Sequence, residues 1–226
     1  MTPIVIPVHN RPELTRQCVD SLIANTDLRD YQLTLVDDAS TDPQTISYLK
    51  GLENREAATV IWLPERVNHG AACNRGAEMA PEATFIYFGD NDTYFTPGWL
   101  PTLIAHARVF PEVGVLGGDR HPWHSADKLL ERDRLKIELA STQVGYSMLI
   151  RQELWKAYGP FLEHAVGIYG SDDVGLCDVI RSHGHLIAAV TPRVVFHTGI
   201  TRTDGQPALG ASEFAGQMAP EGMIRL

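Results

Sequence analysis

The chain has 226 residues, 44% of them apolar and 21% charged, enough for one large domain or two small ones with a full core. A net charge of −9 argues against a protein whose main work is gripping nucleic-acid backbones, and three cysteines without a CxxC pair read as small core hydrophobes, not a disulfide framework. No run approaches the ~18 apolar residues of a membrane span, and the N-terminus enters a strand with no basic leader, so a cytosolic setting is expected.

Pro3 to Val8 is a short β-rich run, and His9-Asn10-Arg11-Pro12-Glu13 follows it. Asn10 stands where an N-cap belongs, Pro12 lies in the first turn, and Glu13 is three residues on, as in a capping box. Leu14, Cys18 and Leu22, with Val19 and Ile23, then form a helical apolar face to about Asn25. Leu33 to Val36 is a second buried strand ending in Asp37-Asp38, and Ser40-Thr41-Asp42-Pro43 opens a second helix. Thr59 to Leu63 is a third strand. The small-residue run Asn68-His69-Gly70 through Asn74-Arg75-Gly76 reads as a loop entering a helix.

Phe85-Ile86-Tyr87-Phe88 is a buried strand that stops at Gly89 and runs at once into Asp90-Asn91-Asp92. Two carboxylates held together cost free energy unless something positive lies between them, so a divalent cation with a phosphate behind it fits this spot. A solvated turn is the plain alternative, because Gly-Asp-Asn-Asp is good turn chemistry.

Four strand-then-helix units within 100 residues predict an α/β domain with a mostly parallel sheet. Ligands bind beyond the carboxyl ends of such strands. Pro7-Val8-His9, Asp37-Asp38, the Asn68 loop and Asp90-Asn91-Asp92 all fall at those ends, which points to a binding crevice.

The second half is less regular. Gly98 to Phe110 is helical in pattern, Val113 to Gly118 a strand, and His121 to Ser141 a charged stretch read as a solvated helix or loop, with an acceptor-side lid as the alternative. Val144 to Ile150 reads as a strand and Gln152 to Tyr158 as a short helix. Gly170-Ser171-Asp172-Asp173 precedes a helix running to about His183 and closed by Gly184. Leu186 to Val190 and Val194 to Phe196 are the last strands, the second running into His197. The expected organisation is one domain over 1–202, with a nucleotide-binding half (1–95) and an acceptor half (96–202), followed by an arm over 203–226.

In this order and spacing, Ile6 to Arg11, Val36 to Asp42, the Asn68 to Gly76 run, Asp90-Asn91-Asp92, Gly170 to Asp173 and Phe196-His197 resemble the family 2 glycosyltransferases with a GT-A fold. The resemblance implies a Rossmann-like, mostly parallel sheet flanked by helices. It also implies transfer of a sugar from a nucleotide-diphosphate donor, with UDP favoured, to an acceptor hydroxyl with inversion. A retaining enzyme on the same fold and a nucleotidyltransferase are the alternatives. Carried over residue by residue, Pro7, Val8 and His9 line the nucleoside site, with Arg11 near base or phosphates. Asp38 accepts from the base, Asn68 closes the pocket, and Asp90, with Asn91 beside it, reaches the ribose or a metal-bound water. Asp92 and His197 ligate Mn²⁺ or Mg²⁺, and Asp173 is the general base. The acceptor is left open among glycan, lipid, small molecule and protein, with nucleic acid disfavoured by the charge.

Among the remaining candidates, His9, His69, His164, His183 and His185 read as structural or solvent-facing, and Trp123 and Trp155 as packing residues ahead of sugar platforms. The family's usual glutamate before the base is Asp172 here, and Arg75 follows Asn74 where the family places an arginine before the asparagine.

Overall fold

The computed structural model describes residues 1–120, 128–143, 145–163 and 171–199. The expectations for Trp123, His164, Gly170 and the arm over 203–226 lie outside those residues.

The first half is a run of strands and helices: β1 (Thr2–Val8), α1 (Pro12–Ala24), β2 (Tyr31–Asp37), α2 (Pro43–Asn54), β3 (Thr59–Trp62), α3 (His69–Glu78) and β4 (Phe85–Gly89). β5 (Thr93–Phe95), α4 (Trp99–Val109), β6 (Val113–Gly117), β7 (Lys128–Arg132), β8 (Leu135–Leu139) and β9 (Ser147–Arg151) follow. The described chain closes with α5 (Gln152–Tyr158), α6 (Ser171–Ser182), β10 (Leu186–Thr191) and β11 (Val195–His197).

Nine strands form one sheet in the order β3-β2-β1-β4-β9-β6-β10-β8-β7, and β11 pairs with β5 in a small second sheet. β3, β2, β1 and β4 are mutually parallel, as are β6 and β10, so only β8 and β9 run against the common direction. The sheet is therefore mostly parallel, as expected, and its carboxyl rim gathers the ends of β1, β2 and β4.

Alternation along the strands divides the core into two layers. Ile4, Ile6, Leu33, Leu35 and Tyr87 pack with Cys18, Leu22, Leu49 and Trp99 on one face. Val5, Val36, Ile86, Phe88 and Met148 pack with Ala72, Cys73, Leu176 and Ile180 on the other. All three cysteines are buried and free, one each in α1, α3 and α6. α3 lies close to the sheet because Gly76 has no side chain; a Cβ there would overlap the Val5 side chain. Trp155 packs against Phe88 and Phe161 at 4.6 and 5.0 Å between ring centroids, the packing role expected of it.

Two local readings are corrected. The N-cap of α1 is Arg11, not Asn10, and it makes no side-chain cap bond. Asn10 and Arg11 both adopt positive φ (54° and 61°), and the Asn10 amide oxygen accepts instead from the backbone N–H groups of Thr41 and Asp42. The charged stretch after residue 127 is neither helix nor loop: β7 and β8 form an antiparallel hairpin at the sheet edge.

Candidate active site

Asp92 is the most enclosed acid of the rim after β4, 6% exposed, in the loop between β4 and β5. The loop is fixed from below, because the Asp92 carbonyl accepts from both the backbone N–H and the hydroxyl of Thr198, each at 2.7 Å. The β5–β11 pairing sets His197 opposite Thr93. That register brings His197 Nε2 to 3.2 Å from Asp92 Oδ1. Asp92 Oδ2 receives Arg11 Nη1 at 2.9 Å, while buried Oδ1 has no hydrogen-bond partner among the described residues. Burial alone would push the Asp92 carboxyl up, but His197 and Arg11 outweigh it and hold the group well below the usual carboxylate range. Burial pulls His197 down; the Asp92 charge prevails and raises it.

Arg11 reaches Asp92 because the positive-φ turn at Asn10-Arg11 redirects the chain as it leaves β1. Left-handed backbone at a non-glycine residue costs about 1–2 kcal/mol, so the surrounding hydrogen bonds must hold it. They do: the Asn10 N–H donates to Ser40 Oγ at 2.9 Å, and Asn91 Nδ2 donates to the Asn10 carbonyl and to Thr15 Oγ1.

The other expected nucleotide residues are spread over the same rim. Pro7 and Val8 end β1, buried, and His9 Nδ1 lies 2.7 Å from the Asp38 carbonyl, which fixes that nitrogen as the N–H donor. Asp38 is 5% exposed; its Oδ1 accepts from the Val67 N–H at 2.6 Å, and Oδ2 is 3.7 Å from Arg66 Nε. Neither Asp37 nor Asp38 caps α2, a role taken by Asp42, whose carboxylate accepts from the Thr45 N–H. Asn68 has both ends of its amide engaged: Oδ1 caps α3 through the Ala71 N–H, and Nδ2 donates to the Glu163 carbonyl. Asn68 and Asn91 thus tie together the segments that meet at this rim.

Asp173 is 7% exposed in the first turn of α6. Its Oδ2 accepts from the Gly145 N–H at 2.9 Å and its Oδ1 from the Val174 N–H at 2.7 Å. Burial first, then the charge of Asp172, raise its pKa from the ordinary carboxylate value to about 6, against the pull of those N–H groups and of His69. A carboxyl that titrates near neutrality can take a proton from a hydroxyl and give it up again.

His69, read from the sequence as structural or solvent-facing, is half-buried between two acids. As the first residue of α3 it has Nε2 2.6 Å from Asp90 Oδ1 and Nδ1 2.8 Å from Asp172 Oδ2. Only the flanking Asn68 and Gly70 mark the spot in the sequence, and neither singles out the histidine. Among the described residues no group of three or more His, Cys, Asp or Glu is arranged to hold a metal; Asp92 and His197 form a pair.

A doubly covered, mostly parallel sheet with an acid-rich carboxyl rim is the architecture of the GT-A glycosyltransferases. It matches S. aureus TarS in complex with UDP-GlcNAc over 86% of this chain and 57% of that one, with a TM-score of 0.67 at 18% identity. It also matches a mannosyltransferase from Pyrobaculum calidifontis, solved with GDP-Man and Mn²⁺, over 85% and 54%, with a TM-score of 0.64 at 18% identity. Residues 4–158 match the model of Glycosyl transferase family 2, and the chain belongs to that family. A curated relative, the succinoglycan biosynthesis protein ExoW of Rhizobium meliloti, is 27% identical over 74% of this chain and 54% of its own length. The matched stretches span 9% to 54% of the curated relatives' own lengths.

Proposed function

We propose that the chain is an inverting, cation-dependent glycosyltransferase that uses a UDP-sugar and delivers the sugar to an acceptor hydroxyl, with Asp173 as the base. The observation that carries this reading is Asp92 Oδ1: a buried carboxylate oxygen without a hydrogen-bond partner among the described residues, 3.2 Å from an imidazole nitrogen, on the rim where strands end. Two donors bonded to one cation at about 2.1 Å on adjacent vertices lie roughly 3 Å apart, so this pair fits a divalent ion. The imidazole favours Mn²⁺ over Mg²⁺. Asp92 and His197 would hold that ion, whose contribution is to stabilise negative charge developing on the departing diphosphate.

The chain's own residues supply the rest. The ends of β1 and β2, with Asp38, offer the base and ribose a buried, polar seat, and Arg11 provides a positive charge for the phosphates. Asp173 takes the proton of the acceptor hydroxyl as its oxygen bonds to the anomeric carbon, and the bond from that carbon to the β-phosphate oxygen breaks. The acidity near pH 6 suits this exchange. UDP is favoured because a uracil imide N–H suits the Asp38 carboxylate, and TarS, of the same fold, is solved with UDP-GlcNAc. Three buried free cysteines agree with a cytosolic setting, and among the described residues no helix is long and apolar enough to cross a membrane.

The test is hydrolysis of a panel of UDP- and GDP-sugars with Mn²⁺ and with EDTA. UDP release that needs Mn²⁺ and falls at least a hundredfold in Asp92→Ala is the expected result. Equal release in EDTA would remove the cation from the reading.

A further inference from the structure

We propose that His69 is a positioning residue of this site: bridging Asp90 and Asp172, it withholds Asp172 from proton transfer and leaves Asp173 as the working base. The inference rests on the reading of Asp173 as base. Ionised carboxylates only accept hydrogen bonds, so contacts of 2.6 and 2.8 Å from the two ring nitrogens require both to carry protons. The ring is then a cation shared by two carboxylates from separate elements, one after β4 and one on α6.

The surroundings are shaped for that bridge. Gly70 lets α3 approach α6: a Cβ there would stand 2.9 Å from the Leu162 carbonyl oxygen and 3.1 Å from the Asp172 side chain. Gly145 presses on the ring, since its Cβ would be 2.9 Å from His69 Cε1, and the same Gly145 donates its N–H to Asp173. Phe161 meets the ring edge-on at 6.4 Å. One glycine thus connects the bridging ring to the base.

The charges facing the two groups can be named. Around His69 stand Asp90, Asp172 and, 3.7 Å from Nε2, the Cys73 sulfur. Burial works against a charged ring, and Cys73, Asp90 and Asp172 together override it, so its pKa lies well above the ordinary histidine value. Asp172 is lowered: burial opposes, and His69 prevails. Around Asp173 stand Asp172, His69 and, one turn on, the buried thiol of Cys177. Of the two adjacent acids, the one paired with a cation is a poor proton acceptor, and the one without such a partner titrates near neutrality.

The experiment is a ¹³C carboxyl titration of Asp173 in the full chain, its signal assigned by difference from Asp173→Asn. Removing the shared cation in His69→Gln is expected to raise the Asp173 midpoint by ~0.5 pH unit or more, and Asp172→Asn to lower it. An Asp173 midpoint unmoved in both variants overturns the proposal. Should His69→Gln not fold, Asp172→Asn carries the test alone, and an unchanged midpoint there overturns it equally. The underlying reading fails differently: UDP-glucose hydrolysis retained in Asp173→Asn would displace the base, whatever the titration gives.

Discussion

Asp173 is held in an environment that disfavours its charge, and that has a consequence for stability. Its folded pKa, about 6, lies above the ordinary value of 3.8. A carboxyl displaced in that direction contributes stability that is fully present below the unfolded pKa and is lost as pH rises through the folded one. At neutral pH the ionised group is therefore a net cost of at most about 3 kcal/mol. Asp173→Asn cannot ionise, although it loses one of the two acceptor contacts at every pH. The melting temperature of the variant minus that of the parent should be more positive at pH 8 than at pH 4.5, by roughly 5 °C. Differential scanning calorimetry at the two pH values checks this; equal differences would mean that Asp173 titrates normally. At this scale the sequence made the acids legible and the histidine between them illegible. Asp92, Asp173 and His197 stand out because each follows a strand or opens a helix. His69 contacts Asp90 and Asp172 across 21 and 103 positions, a proximity no local pattern encodes.

Among the elements, the strand-then-helix alternation of the first hundred residues was readable because period-2 and period-3.6 patterns change cleanly there. The β7–β8 hairpin was not. Its loop is Asp133-Arg134, with φ of 51° and 65°, between the paired residues Arg132 and Leu135. Two positive-φ residues make a type I′ connection, whose usual signal is a glycine in the second position. Arginine hides the turn, and alternating charges such as Lys136 facing Glu131 across the strands mimic a solvated helix. Arg134→Gly removes the steric cost of left-handed backbone and leaves the Lys136–Glu131 pair in place, so it should stabilise the protein by about 0.5–1 kcal/mol. Urea unfolding with an unchanged m-value and a higher midpoint is the expected outcome. A lower midpoint would show that the arginine side chain matters more than its backbone. The pairing of β5 with β11 escaped for a different reason: each is three residues long, too short for a period to register.

Taken whole, the proposed function sets an acidic protein against an anionic substrate. A net charge of −9, with Asp38, Asp90, Asp92, Asp172 and Asp173 on one rim, would oppose a nucleoside diphosphate. Arg11 and the His69 bridge offset only part of that charge. On the proposed reading, two protein donors at Asp92 and His197 would be few for an ion that takes six or more ligands, and phosphate oxygens would have to complete the shell. Cation and nucleotide should therefore bind together, each weakly alone. Saturation at a hundred times the dissociation constant stabilises the folded state by about 2.7 kcal/mol, and each kcal/mol raises the melting temperature of a chain this size by ~2–4 °C. UDP and Mn²⁺ together should thus raise it by roughly 5–10 °C, whereas either alone gives a small fraction of that. His197→Ala should reduce the joint rise while leaving the unliganded melting temperature within a few degrees. A full rise with UDP in EDTA would detach nucleotide binding from the cation and leave the Asp92–His197 pair without a metal to serve.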